Sequence, residues 1–304
     1  LTPRRRTYLI VGLGVLAIAA FGVFAWRNKS ASADLQTLLP RLPTQDAVVA
    51  GIDFDALRAS GILGSLLDGR GQQEAEYVDF VRDSGFNYQR DLRYVLASFA
   101  PDGEFFLIRG VFDWPRLERY VATQKGRCEN HFCRMAGSTN EKNISFFPLQ
   151  RDLMAMAVAR DAGAAERLNH LGPQADVAVL KEPLWLTFSA GALRHSASLE
   201  GSSRLFATAI MDAERVTITA GPGSDNHLEA RLEAVCRDAQ QAGGLTEQLV
   251  GLTNLLKRVG AQQQQSIPAD SVAGLLASGT FTQAGSHVTG HWDIPRSLLA
   301  ELAK

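Results

Sequence analysis

The side chains able to do chemistry are few and scattered. Cys128 and Cys133 stand in a C-x4-C spacing whose intervening residues read as a hairpin tip, which sets the two sulfurs opposite one another. In an oxidising compartment that arrangement favours a disulfide; free thiols and a metal site are the alternatives, and zinc needs further ligands that His131 alone does not supply. Cys236 shares a helical spacing with Leu228, Leu232 and Val235 and reads as a buried, unpaired core thiol. The six histidines form no H-E-x-x-H. His287 and His291 are four residues apart, but the residues between them look extended, which holds the rings about 13 Å apart and leaves no chelate. Asp83-Ser84-Gly85 has the lettering of an aspartic-protease site, yet it occurs once, and a helix end with glycine just beyond it accounts for the same letters. No G-x-S-x-G, S-x-x-K or P-loop sequence occurs. The turn around residues 221–226 could cradle an anion, though a plain turn explains it. No catalytic residue, metal or cofactor is assigned.

The composition sets the frame for those residues. With 304 residues, 46% hydrophobic and 21% charged, the chain can bury a sizeable core. Charge is uneven: residues 1–29 carry five basic and no acidic side chains, leaving 26 basic against 32 acidic in the remainder. A net-negative body without a basic run is a poor counterion for nucleic acid, which is therefore not expected as a partner.

Residues 8–26 are 19 uncharged, almost wholly apolar residues. As a helix they cover about 28 Å, close to one bilayer core. Tyr8 and Trp26 sit at the two ends, where amphipathic rings prefer headgroups, and Arg4, Arg5 and Arg6 outnumber Arg27 and Lys29 on the far side. The reading is a single-pass signal anchor in a bacterial inner membrane, with lipid contacted through residues 8–26, the N-terminus cytoplasmic and the body periplasmic or otherwise extracytoplasmic. Cleavage after Ala33, in the triplet Ala31-Ser32-Ala33, is the competing reading. The G-x-G-x-x-A lettering of residues 12–17 lies inside the apolar run, which has no polar face for a dinucleotide-binding helix.

Beyond a tether at 30–45, a strand at 47–52 leads into helices at 56–67 and 74–82, the first capped by Asp53 or Asp55. Residues 92–99 and 104–112 form a hairpin around Pro101-Asp102-Gly103, followed by a helix over 114–123 with Asp113 as its cap and Pro115 in its first turn. Strands are expected at 128–135, 144–149, 153–159, 184–188 and 215–220. Helices are expected at 162–171, near 192, at 229–240, at 246–259 and from Pro295, with a last hairpin at 272–282 and 286–292. At an offset of 180, Leu96-Ala97-Ser98, Gly110, Asp113, Pro115 and Arg116 repeat as Leu276-Ala277-Ser278, Gly290, Asp293, Pro295 and Arg296. Ala56-Leu57-Arg58 returns as Ala192-Leu193-Arg194, again just after a strand. The expected fold is α+β: one N-terminal transmembrane helix, then an ectodomain of two related strand-helix-hairpin-helix modules, residues 46–182 and 183–304.

Leu42-Pro43 followed by Asp46 and a strand, then Gly85-Phe86-Asn87-Tyr88-Gln89-Arg90-Asp91-Leu92 leading into a hairpin, resembles a bacterial family of membrane-anchored extracytoplasmic proteins of unknown function, over about residues 38–124. The resemblance implies an α+β ectodomain and carries over no catalytic residue. The function expected from anchor and modules is a non-enzymatic binding or accessory protein of an envelope complex, with an envelope protein as partner. An envelope hydrolase and a carrier of small apolar ligands are the alternatives. If residues 8–26 anchor the chain, it stays in the membrane pellet after carbonate washing, and recovery of a mature N-terminus at Asp34 overturns that expectation.

Overall fold

The computed structural model describes residues 35–67, 75–137, 139, 141–173, 177–193, 201–223, 228–262, 272–295 and 298. Its strands are β1 (Val48–Asp53), β2 (Leu92–Ala100), β3 (Gly103–Gly110), β4 (Arg127–Glu129), β5 (Phe132–Ala136), β6 (Asn143–Gln150), β7 (Leu153–Ala159), β8 (Leu184–Ser189), β9 (Arg215–Pro222), β10 (Leu228–Val235), β11 (Thr280–Ala284) and β12 (His287–Ile294). The helices are α1 (Phe54–Ala59), α2 (Ile62–Leu67), α3 (Ala75–Ser84), α4 (Tyr88–Asp91), α5 (Trp114–Thr123), α6 (Ala190–Leu193), α7 (Gly201–Ile210), α8 (Ala239–Gln262) and α9 (Val272–Ser278).

All twelve strands join one antiparallel sheet in the order β11-β12-β10-β9-β8-β1-β2-β3-β7-β6-β5-β4. This corrects the expected fold of an ectodomain in two separate strand-helix-hairpin-helix modules, because the sheet runs without a break through the β1–β8 ladder at its centre. No helix among the described residues is long and apolar enough to cross a membrane. Residues 8–26, with Arg4, Arg5, Arg6, Tyr8 and Trp26, lie outside the described residues.

The repeat at an offset of 180 is also corrected. Asp113 caps α5 by accepting from the Arg116 N–H at 3.1 Å, but Asp293 is inside β12, paired with Glu229. Leu96-Ala97-Ser98 lies in β2, whereas Leu276-Ala277-Ser278 lies in α9. The same letters meet different neighbours. The ladder to β10 carries β12 through Ile294, and Pro295, without an N–H to donate, follows the strand's end. Arg296 is outside the described residues. Read outward from β1–β8, however, the strand order matches on both sides: β1, β2, β3, β7, β6 against β8, β9, β10, β12, β11.

Of residues 229–240, expected as helix, 229–235 are strand β10 and only 239–240 are helical, as the start of α8. In Leu-Glu-Ala-Arg-Leu-Glu-Ala-Val every second residue is apolar, so period 2 fits as well as period 3.6, and pairing with β9 and β12 decides. Cys236 thus follows a strand rather than lying on a helix, and it is buried and unpaired. Residues 272–278 form α9 where a strand was expected, and residues 164–169 form a 3-10 turn in place of a longer helix.

The two faces of the sheet are used differently. One face is covered by helices along much of its length: Phe188, Val216, Leu232, Val288 and Trp292 pack with Phe206 of α7 and Leu245 and Leu249 of α8. The other face is covered only over the first-half strands. There Leu96, Leu107, Leu153, Ala155 and Ala157 pack with Leu35, Leu38, Leu39 and Leu42 and with Ala164, Ala165 and Leu168. Residues 35–42 are therefore core, not tether, and Arg41 pins them by donating to the carbonyls of Leu168 and Asn169 at 3.1 and 2.8 Å. On this face β10 and β12 instead carry polar side chains in contact, including His287 with Glu233 at 3.1 Å and His291 with Glu229 and Asp293 at 3.3 Å each.

The different environments of the two aspartates predict different costs. Asp113→Ala should lower stability by about 1 kcal/mol, the usual loss of a helix cap. Asp293→Ala removes no cap and should stay within about 0.5 kcal/mol, as surface substitutions do. Urea midpoints of the two variants check this, and a loss of about 1 kcal/mol at Asp293 as well would show that it does more than a surface side chain.

Candidate functional site

The helix-bearing face of strands β2, β3, β7, β6 and β5 does not close against its helices. A cavity of about 350 Å³ lies there. Alternation in β7 creates one wall: Leu153, Ala155 and Ala157 point to the opposite face, which leaves Met154 and Met156 facing the cavity. Ile108 stands opposite Met154, Phe146 opposite Met156, and Ile144 opposite Met135. Leu117 and Tyr120 of α5 and Phe80 of α3 form the roof, and Phe86 and Phe112, stacked at 5.3 Å, also line the space. Tyr120 is the one lining residue with a polar side-chain group apart from the methionine sulfurs.

The element holding the roof is legible residue by residue. Helix α3 packs on α5, and Phe80 meets Tyr120 edge-on at 5.1 Å and Phe86 at 6.4 Å. The helix ends at Gly85, whose φ of +75° suits glycine and whose N–H donates to the Val81 carbonyl at 2.9 Å. Here Asp83-Ser84-Gly85 is a helix terminus: buried Ser84 donates to the Phe80 carbonyl at 2.6 Å and accepts from the Phe86 N–H at 3.1 Å. Arg116 reaches across from α5 and donates to the Arg82 carbonyl, with its guanidinium over Gly85. A Cβ at Gly85 would lie 2.7 Å from that group.

The stretch Gly85–Leu92 builds the end of the cavity. Asn87 caps α4 and its N–H donates to Asp91 at 2.8 Å, while Arg90 binds both oxygens of Asp91 at 2.8 and 2.9 Å. Burial on its own would raise the Asp91 carboxyl, but the bonds from Arg90 and from the Asn87 N–H outweigh it and hold the group below its ordinary range. A carboxyl lowered in this way contributes stability that is present above about pH 4 and lost as pH falls through its lowered value. Arg58 of α1 clamps the same turn, donating to the carbonyls of Gln89 and Leu92 at 2.9 and 2.7 Å.

Of the residues singled out from sequence, several meet around this cavity. Cys128 and Cys133 face each other across β4 and β5, 4.0 Å apart at Cα, and are bonded. Cys133 is buried with Leu117, Val121, Phe146 and Met154. Asp113 and Pro115 start α5, and Arg116 ties it to α3. Asp293 lies on β12, with Pro295 just beyond its end, remote from the cavity in the sheet order. His131 sits at the hairpin tip and pairs with Glu118 at 2.7 Å. Among the described residues no group of three His, Cys, Asp or Glu could hold a metal. The methionine and aromatic lining was not singled out from sequence. Its signal was available in Leu-Met-Ala-Met-Ala, where two large flexible side chains alternate with small ones.

No family model matches the chain, and no curated protein matches it. A solved structure described as "Structure of crystal form III of TP0453" is similar over 84% of this chain and 93% of that one, at 8% identity and a TM-score of 0.43. Likeness at that level assigns neither fold nor function.

Arg116→Ala should release the C-terminal end of α3 while leaving the sheet intact. Amide exchange is expected to speed up over residues 75–84 with β3 unchanged, and unaltered exchange in α3 would show that the guanidinium does not hold it.

Proposed function

We propose that this is an extracytoplasmic binding protein that holds a small apolar ligand between its sheet and helices α3 and α5. The cavity carries the reading. Its 350 Å³ falls within the range of about 300–1,000 Å³ typical of small-molecule sites, and its walls are apolar and aromatic. A lining with one phenol and no carboxylate, imidazole or free thiol offers burial rather than reaction. That puts the carrier reading ahead of the envelope hydrolase, and ahead of the accessory subunit, for which no docking surface of comparable definition stands out among the described residues.

Export is supported by the Cys128–Cys133 bond, because disulfides persist in oxidising compartments, and by the basic-then-apolar lettering of residues 4–26. The bond bears on the site as well. It joins the short edge strand β4 to β5, whose Met135 lines the cavity, and so fixes one margin of the floor.

The test is binding of an environment-sensitive apolar fluorophore to the purified full chain. Saturable enhancement is expected, with roughly one site, and Met156→Trp should weaken it about tenfold or more by filling the space, since each displaced methylene is worth about fourfold. Met154→Trp is the second variant should the first not fold. Absence of saturable binding, or binding untouched by both folded variants, overturns the reading.

A further inference from the structure

We infer that the ligand is a single hydrocarbon chain laid obliquely across the strands with its polar end in solvent; this rests on the apolar-ligand reading above and narrows it. The floor is a track. Ile108–Met154, Met156–Phe146 and Ile144–Met135 are three cross-strand pairs, each displaced along the strands from the one before, so the lining steps diagonally from β3 through β7 and β6 to β5. With β2 included, the floor crosses five adjacent strands, and at about 4.8 Å per strand it is about 19 Å across. A floor that is apolar along its whole diagonal suits an extended hydrocarbon chain.

The lining chemistry agrees with the shape. Three thioethers along one track adapt to bends and to differing chain lengths without a fixed contour. Among the described lining side chains only Tyr120 carries a strong hydrogen-bonding group, so a hydroxyl or amide carried far inside would lose water partners with little replacement. The ligand therefore keeps its polar end outside. A free fatty acid and an acyl chain of a membrane lipid share this chemistry.

Two measurements on the full chain test the inference. In competition against the bound fluorophore, straight-chain fatty acids should gain about fourfold in affinity per added methylene until the track is filled, and then level off. Photoreactive fatty acid and photoreactive phosphatidylcholine in vesicles are then compared by mapping the labelled peptides. Label on residues 108–120 and 144–156, lost in Met154→Trp and Ile108→Trp, supports the inference, and the more efficient probe identifies the source of the chain. If a sterol displaces the fluorophore and fatty acids of every length do not, the apolar site stands and the chain is overturned. If the fluorophore itself does not bind and neither photoprobe labels these peptides, both readings fall together.

Discussion

The sheet is continuous because Trp185 can lie over Gly51. These residues face each other across β1 and β8, the ladder that joins the first-half strands to the second-half strands, and it spans only Val49–Ile52 against Leu184–Thr187. A Cβ on Gly51 would sit 2.3 Å from the indole, inside any contact distance, so glycine is what lets the ring cross the seam. The ring then reaches β2, where its N–H donates to the Tyr94 hydroxyl at 3.0 Å, and burial pushes that phenol up to about 12. Three strands are thus stitched by one side chain where the backbone ladder is short. Every element on either side takes its position from this seam.

From the seam outward, the sequence meets a different requirement on each face. In β7 alanines face the tight packing of residues 164–168, which needs small side chains, while methionines face the looser helix side. The cavity is the result of that division. Alanines allow one layer to close, and helix α3, held through α5 and the aromatic rings of Phe80 and Phe86, does not fill the space on the other. Arg116 and the Asp91 turn fix how far the roof stands off the floor.

Much of the local structure is legible in the sequence. Helix 114–123, with Asp113 and Pro115 at its start, follows from capping rules that act within four residues, and the hairpin at 92–110 follows from a turn signal between β-rich runs. What failed were inferences about which segments are equivalent. Leu276-Ala277-Ser278 repeats the letters of a strand and forms a helix, and Leu228–Val235 has the composition of a helix and forms a strand, because pairing partners distant in sequence decided both. The cavity was illegible for a related reason. None of its lining residues is chemically conspicuous alone, and only the register that sets Ile108 beside Met154 and Phe146 beside Met156 makes them a surface.

The same lining carries a liability. A compartment oxidising enough to keep Cys128 and Cys133 joined is also one in which thioethers meet oxidants. Conversion of Met135, Met154 or Met156 to its sulfoxide would set a polar, chiral sulfur–oxygen group into the apolar floor. The cavity would then lose its wholly apolar floor, and a methionine sulfoxide reductase could restore it. If the cavity holds the proposed apolar ligand, the sulfurs that let its floor adapt would also make binding sensitive to oxidative damage and repair.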